Sequence, residues 1–93
     1  MFDNTLHRMR NKIRAGDYVM TLHGDEEIDA EELSIFDVER CILTGKIIER
    51  QKDGQTGETK YRILGFMVGG ELMEVIAKFG PTGRLFIITA YSM

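Results

Sequence analysis

The sequence predicts an α+β domain in which N-terminal helices pack on one face of a four-stranded antiparallel sheet. Two observations lead to this prediction. Apolar residues recur at helical spacing as far as Gly45, and beyond it they alternate with polar residues as in half-buried strands. Three glycine-containing turn segments then divide the second half of the chain into four stretches of strand length. A chain of 93 residues is enough for one such domain, spanning 1–93.

The first predicted element is a basic amphipathic helix within residues 1–16, with bounds at 2–15. Its apolar side chains are spaced at i, i+4, i+7 and i+11, which places them on one helical stripe: Phe2, Leu6, Met9 and Ile13. Gly16 follows as a left-handed stop. The cations of this helix are interpreted either as a solvated face or as part of an anion site.

Two short helices are predicted next. Residues 25–33 are rich in acidic helix formers, and acidic residues in the first turn suit the helix dipole. Residues 35–44 follow Ser34, which with Asp37 resembles a capping box. Between the first and second helices, residues 19–22 are compatible with a short extended segment.

The remaining chain, from 46 to 92, is predicted to form an antiparallel meander. Its strands and the turns between them are assigned from alternation and from turn residues: strands at 46–52, 59–68, 71–79 and 84–92, with turns at 53–57, 69–70 and 80–83. The last strand contains four consecutive apolar residues and is therefore predicted to lie centrally in the sheet.

Charge is unevenly distributed along the chain. The net charge is −3, with +3 in residues 1–16, −8 in residues 17–45 and +2 in residues 46–93. Broad nonspecific nucleic-acid binding needs a basic domain, so this distribution argues against it while leaving room for a local anion site.

The cysteine count, the lengths of the apolar runs and the absence of ligand-binding motifs lead to predictions about the cellular compartment and about cofactors. The single cysteine, Cys41, excludes an intrachain disulfide and fits a reducing compartment, and no apolar run is long enough for a membrane span. We therefore expect a cytoplasmic protein with no membrane association. Neither Gly69-Gly70 nor the segment 80–83 matches a phosphate loop, and two histidines with one cysteine make a structural zinc site improbable. No cofactor and no metal are predicted.

A solitary histidine and a group of strand residues are the candidates for chemistry. His23 is of the residue type best suited to proton transfer, although a histidine at such a junction is often a helix cap or a packing residue. The predicted strands supply candidate partners for a phosphate on one polar sheet surface: Arg50, Lys60, Arg62, Thr89 and Tyr91. Cross-strand cations and a tyrosine are also ordinary on an exposed sheet face.

Several blocks of the sequence, in order, resemble the bacterial family known as domain of unknown function 4258. The resemblance covers about residues 18–92 and leaves out the N-terminal helix. Glu27 stands where many members carry arginine. The residues that carry the resemblance are Thr21-Leu22-His23, Ile28, Leu33-Ser34, Asp37-Val38, Ile42-Leu43-Thr44-Gly45, Ile47-Ile48-Glu49, Lys60-Tyr61, Gly65 and Ile87-Ile88-Thr89-Ala90-Tyr91.

The family is similar in layout to RelE-like and MqsR-like ribonuclease toxins, which implies a RelE- or barnase-like arrangement of helices and sheet. It also implies a metal-independent endoribonuclease from a toxin–antitoxin pair, with RNA as substrate and an antitoxin protein as partner. Under this resemblance, the expected catalytic residues are His23, Tyr91 and Thr89, and the expected substrate-binding residues are Arg50, Lys60 and Arg62.

A second function remains open: a non-catalytic protein-interaction module or a small homo-oligomerising domain. The last strand is apolar on both faces, and three short helices can cover only one of them. Uncovered apolar surface marks an interface, so a protein partner or a second copy is expected. The two functions differ in one observation, because an enzyme should place His23 and the Lys60–Arg62 face in one cleft.

Overall fold

A computed structural model describes residues 3–93 and contains three helices and five strands within them. Phe2, the first residue of the predicted helical stripe, lies outside the described residues. The strands form one sheet in the order β1-β5-β4-β3-β2. The elements are α1 Asp3–Ala15, β1 Tyr18–Met20, α2 Leu22–Ala30, α3 Ile35–Thr44, β2 Lys46–Lys52, β3 Thr59–Phe66, β4 Leu72–Phe79 and β5 Leu85–Ser92.

The sheet has five strands and is mixed, so the prediction of four antiparallel strands is wrong. β1 pairs with β5 in parallel, with Tyr18 opposite Leu85 and Met20 opposite Ile87. The predicted meander from β2 to β5 is antiparallel throughout. The extended segment predicted at residues 19–22 overlaps β1, but its place in the sheet was not predicted, because its partner lies at the far end of the sequence. β5 is an interior strand, although β4 is the middle one.

The helix boundaries follow from their caps. α3 has the predicted bounds, and its capping box between Ser34 and Asp37 is present in both directions. α2 begins three residues earlier than predicted because Thr21 caps it, its Oγ1 accepting a hydrogen bond from the Gly24 amide at 3.1 Å. Glycine suits position 24, where a Cβ atom would lie 2.9 Å from the carbonyl oxygen of Ile87. The helix therefore approaches the backbone of β5 closely.

One face of the sheet, here called the helix face, carries the core together with all three helices. Its buried residues come from helices and strands alike: Met9, Ile13, Ile28, Val38, Cys41, Ile42, Ile47, Ile63, Met73, Val75, Ala77, Leu85, Ile87 and Ala90. Residues directly opposite each other in antiparallel strands share a face, and successive residues alternate between faces. The other face, here called the open face, carries Glu49, Gln51, Lys60, Arg62, Leu64, Phe66, Leu72, Glu74, Ile76, Lys78, Phe86, Thr89 and Tyr91.

The cations of α1 have structural partners. Arg10 donates to the carbonyl oxygens of Ile42 at 3.1 Å and Gly45 at 2.8 Å, and so binds the C-terminal end of α3. Arg8 lies 4.2 Å from the centre of the Phe79 ring. The basic helix thus contributes to packing rather than forming an anion site. None of the helices within residues 3–93 has the length and apolar character needed to cross a membrane.

Candidate functional site

A cluster of ionisable side chains occupies the middle of the open face, and each member comes from a different strand. The cluster consists of Glu49 on β2, Arg62 on β3, Glu74 on β4 and Tyr91 on β5, and is called here the Glu74 cluster. Strand register brings these residues together, because Glu74 lies opposite Tyr91 and Arg62 lies opposite Glu49. Adjacent strands in a sheet are about 4.8 Å apart, so each of these side chains lies within reach of its neighbour on the adjoining strand.

Glu74 is held by both of its neighbours. Arg62 Nη2 donates to Glu74 Oε1 at 2.8 Å and to Oε2 at 2.9 Å, while Nη1 donates to Glu49 Oε1 at 2.9 Å. The Tyr91 hydroxyl donates to Glu74 Oε2. Arg62 Nε is buried and has no hydrogen-bond partner.

The protonation states of the cluster follow from these contacts. Glu74 is 3% exposed, and it is the only charged residue within residues 3–93 that is buried. Burial raises the pKa of Glu74, but hydrogen bonds from Tyr91 and Arg62 outweigh burial and leave that pKa below its ordinary value. The hydrogen bond to Glu74, followed by burial, raises the pKa of the Tyr91 phenol. At neutral pH an ionised carboxylate is thus bonded directly to a protonated phenol.

The structure brings four of the six residues predicted from sequence to the open face. Arg62 and Tyr91 belong to the Glu74 cluster. Thr89 lies beside it, since both Thr89 and Arg62 are opposite Ile76 in the register. Lys60 lies further along the same face and lines a cavity of about 400 Å³, together with Gln51, Lys52 and Asp53.

Arg50 and His23 are placed differently. Arg50 is opposite Tyr61, so its side chain leaves the sheet on the helix face side. His23 lies in the first turn of α2, where its side chain is 66% exposed and Nε2 is 2.9 Å from Glu27 Oε2. Among the described residues, no hydrogen bond or ion pair joins His23 to the Glu74 cluster.

The cap of α2 is Thr21, so His23 is neither a helix cap nor a core residue. We expect His23→Ala to change the free energy of unfolding by less than about 0.5 kcal/mol, because exposed pairs four residues apart contribute little. Thr21→Ala is the matched control and should cost about 1 kcal/mol through the lost cap, which lowers the melting temperature by roughly 4–8 °C. Thermal melts of the two variants test this, and a His23→Ala protein as unstable as Thr21→Ala would contradict it.

Sequence reasoning missed Glu74, the residue at the centre of the cluster. A signal was present, because Glu74 is the one acidic residue in the strand Leu72–Phe79 and is flanked by Met73 and Val75. A carboxylate in an apolar strand of an interior sheet position requires a cationic or hydrogen-bonding partner. The partner could not be identified without the register between strands.

Comparison with known proteins gives one result. A protein-family model described as a domain of unknown function (DUF4258) matches residues 20–92. No curated protein and no solved structure matches. The matched region includes α2, α3, β2–β5 and the whole Glu74 cluster, and it leaves out α1. Within residues 3–93, no group of three or more histidine, cysteine, aspartate or glutamate residues is arranged to hold a metal ion.

Proposed function

The chain belongs to the DUF4258 family, and for this member we propose a metal-independent endoribonuclease activity, of the kind found in toxins, at the Glu74 cluster. Cleaving RNA without a metal requires a base for the ribose 2′-hydroxyl, a proton donor for the leaving 5′-oxygen and a cation for the phosphate. One observation carries the proposal: an ionised carboxylate, Glu74, is bonded directly to a protonated phenol, Tyr91, and to the guanidinium of Arg62.

In the proposed reaction, Glu74 accepts the proton of the 2′-hydroxyl while that oxygen forms a bond to phosphorus. The bond between phosphorus and the 5′-oxygen breaks, and Tyr91 gives its proton to the departing oxygen. The products are a 2′,3′-cyclic phosphate and a free 5′-hydroxyl. The proton on Glu74 then returns to the Tyr91 phenolate through the hydrogen bond that joins them, which restores both groups.

Arg62 would bind the scissile phosphate and stabilise the charge that builds on its oxygens. The Arg62 side chain is 34% exposed, so a phosphate oxygen can approach the accessible part of the guanidinium. Phosphate binding also competes with Glu74 for the guanidinium. Since the hydrogen bond from Arg62 is one cause of the lowered pKa of Glu74, this competition makes the carboxylate a stronger base when substrate is bound.

Lys60 and Thr89 support the same site from the open face. Lys60 would contact a neighbouring phosphate, and the Thr89 hydroxyl would orient the ribose or the phosphate beside Arg62. The cations of this face are balanced by Glu49, Glu58 and Glu74, so nonspecific attraction of RNA is weak. Affinity would therefore come from specific contacts with single-stranded substrate.

The proposal is tested by incubating the purified protein with single-stranded RNA in the presence of EDTA. The expected result is cleavage that persists with the chelator and leaves 2′,3′-cyclic phosphate and 5′-hydroxyl ends. Growth arrest on expression in a bacterial host, relieved by a variant at Glu74, would support the toxin role. Intact RNA across substrates of varied sequence, with and without ribosomes, would contradict the proposal.

A second candidate function is protein binding, and an exposed apolar surface favours it. Phe66 and Leu72 are 46% and 44% exposed on the open face, and Val68, in the turn that joins their strands, is 63% exposed; we call these three residues the apolar end of the sheet, or the apolar end. Phe66 and Leu72 are opposite each other in the register, one residue pair beyond the pair of Gly65 with Met73. A second copy of the chain or an antitoxin protein bound there would lie beside the Glu74 cluster, so binding would also restrict access to it.

We expect the wild-type protein to self-associate through the apolar end, because exposed apolar surface of this kind marks interfaces. Sedimentation across a range of concentrations should show an average mass that rises with concentration, and Phe66→Asp should hold the protein at the monomer mass. Leu22→Asp is the matched control, since Leu22 is an exposed leucine on α2, away from the apolar end. Equal behaviour of the two variants would contradict this prediction.

A further inference from the structure

A cavity of about 510 Å³ lies at the end of the open face opposite the apolar end. Lys78 and Phe86 form its floor and are opposite each other in the register of β4 and β5. The turn between these strands and the end of β1 form its walls. The cavity is called here the Phe86 pocket, and its lining residues are Thr21, Glu58, Lys78, Phe79, Gly80, Pro81 and Phe86.

The position of the Phe86 ring depends on its neighbour in the turn. A Cβ atom at position 80 would lie 2.6 Å from Cε2 of Phe86, so only glycine lets the ring occupy this place. Lys78 Nζ is held by Glu58 Oε1 at 2.8 Å, which fixes a cation beside the ring. The pocket therefore combines a positioned aromatic face, apolar walls and an ammonium group paired with the Glu58 carboxylate, at a volume typical of small-ligand sites.

The Phe86 pocket and the Glu74 cluster lie on the same face of the same strand. Lys78 lies four positions after Glu74 in β4, which corresponds to about 13 Å along the strand. A polymer crossing the open face would reach both places. Unpaired bases stack on aromatic side chains when proteins recognise single-stranded RNA, while nearby cations contact the backbone.

We infer that the Phe86 pocket binds an unpaired nucleobase of the RNA strand whose backbone crosses the Glu74 cluster. The inference rests on the proposed function and narrows its substrate to single-stranded RNA longer than a mononucleotide. The base stacks on Phe86, and Lys78 contacts an adjacent phosphate. A base-paired strand cannot present a base to the pocket, so duplex RNA is excluded from this contact.

The test measures binding rather than cleavage. The probe is a fluorescein-labelled oligoadenylate with 2′-O-methyl groups, which lacks the attacking hydroxyl and stays intact. Base–aromatic stacking predicts that Phe86→Leu, which keeps apolar volume but loses the ring, weakens binding by about 5- to 100-fold. Phe86→Tyr keeps the ring and should bind with the affinity of the wild type. A melting temperature for each variant shows that it is folded.

Two outcomes would overturn the inference: Phe86→Leu binding the probe as tightly as the wild type, or a duplex of the same length binding as well as the single strand. Failure of the proposed function is separate from these. If the wild type cleaves no RNA but binds the probe through Phe86, the endoribonuclease proposal fails and the base-binding pocket stands. If RNA is cleaved but Phe86→Leu binds the probe as tightly as the wild type, only the inference about the Phe86 pocket is wrong.

Discussion

Replacing Glu74 with glutamine is expected to lower the rate of RNA cleavage by about 10²- to 10⁴-fold, the usual contribution of a general base. Glutamine has nearly the same shape and still accepts a hydrogen bond from Tyr91, but it cannot take a proton from the 2′-hydroxyl. Initial rates on a single-stranded RNA substrate would measure the effect. The change therefore separates the chemistry of the carboxylate from its packing.

Glu49→Gln is the matched control for this variant. Glu49 also accepts a hydrogen bond from Arg62, but its side chain is 40% exposed and the Tyr91 hydroxyl donates to Glu74 instead. We expect its cleavage rate to fall by less than tenfold, in contrast to Glu74→Gln. Wild-type cleavage by Glu74→Gln, or equal losses in the two variants, would remove Glu74 from the role of general base.

Glu74→Gln should also change how the stability of the fold depends on pH. The pKa of Glu74 in the folded state lies below its ordinary value of 4.5, so the unfolded state binds protons more readily. This difference stabilises the fold above pH 4.5, and the contribution is lost as the pH falls through the folded-state pKa. Thermal melts should therefore show a wild type that loses more stability than Glu74→Gln on acidification below about pH 4.5.

Gly65→Ala is expected to give the largest loss of stability. A Cβ atom at this position would lie 2.1 Å from the backbone oxygen of Cys41 and 2.8 Å from its carbonyl carbon. Both atoms belong to the backbone of α3, so no side chain can rotate to make room. The helix must move off β3, and overpacking of this kind costs about 1–3 kcal/mol or more. For a domain of this size, the melting temperature should fall by roughly 4–8 °C for each kcal/mol.

Gly54→Ala is the control for this prediction. A Cβ atom added at Gly54 would have no heavy atom within 4 Å, and the backbone of Gly54 is not in the left-handed region that favours glycine. Thermal melts should leave Gly54→Ala within about 0.5 kcal/mol of the wild type, as for other surface changes. If Gly65→Ala has the same melting temperature as the wild type, α3 can shift away from β3 without loss of stability, and the prediction is wrong.

The elements that were predictable from sequence are those whose signals are local. Ser34 and Asp37 form a capping box within four residues, and the turn at Gly80–Gly83 is marked by its two glycines and Pro81. The extended segment predicted at residues 19–22 overlaps β1, but its pairing was not predicted because its only partner in the sheet, β5, follows most of the chain. Local patterns carry no information about such a pairing.

The candidate site shows the same division. Alternation alone placed Lys60 with Arg62, and Thr89 with Tyr91, on common faces of their strands. It could not align one strand with another, so it could not bring Glu74 between Arg62 and Tyr91. The register shift between Ile47 and Glu49 is a further example, because that bulge puts Glu49 opposite Arg62 and sends Arg50 to the other face. Bulges leave no mark in the pattern of residue types.

The pairing of β1 with β5 also affects the order of folding. Thr21 donates a hydrogen bond to Ile88, 67 residues away along the chain, and the strand that separates β1 from β4 is β5. During synthesis, a nascent chain without β5 leaves both of those strands with an unpaired edge. Contacts of such high sequence separation are closed late and slow folding. Tyr91 arrives with the same strand, so Glu74 stays without its phenol until the sheet is complete.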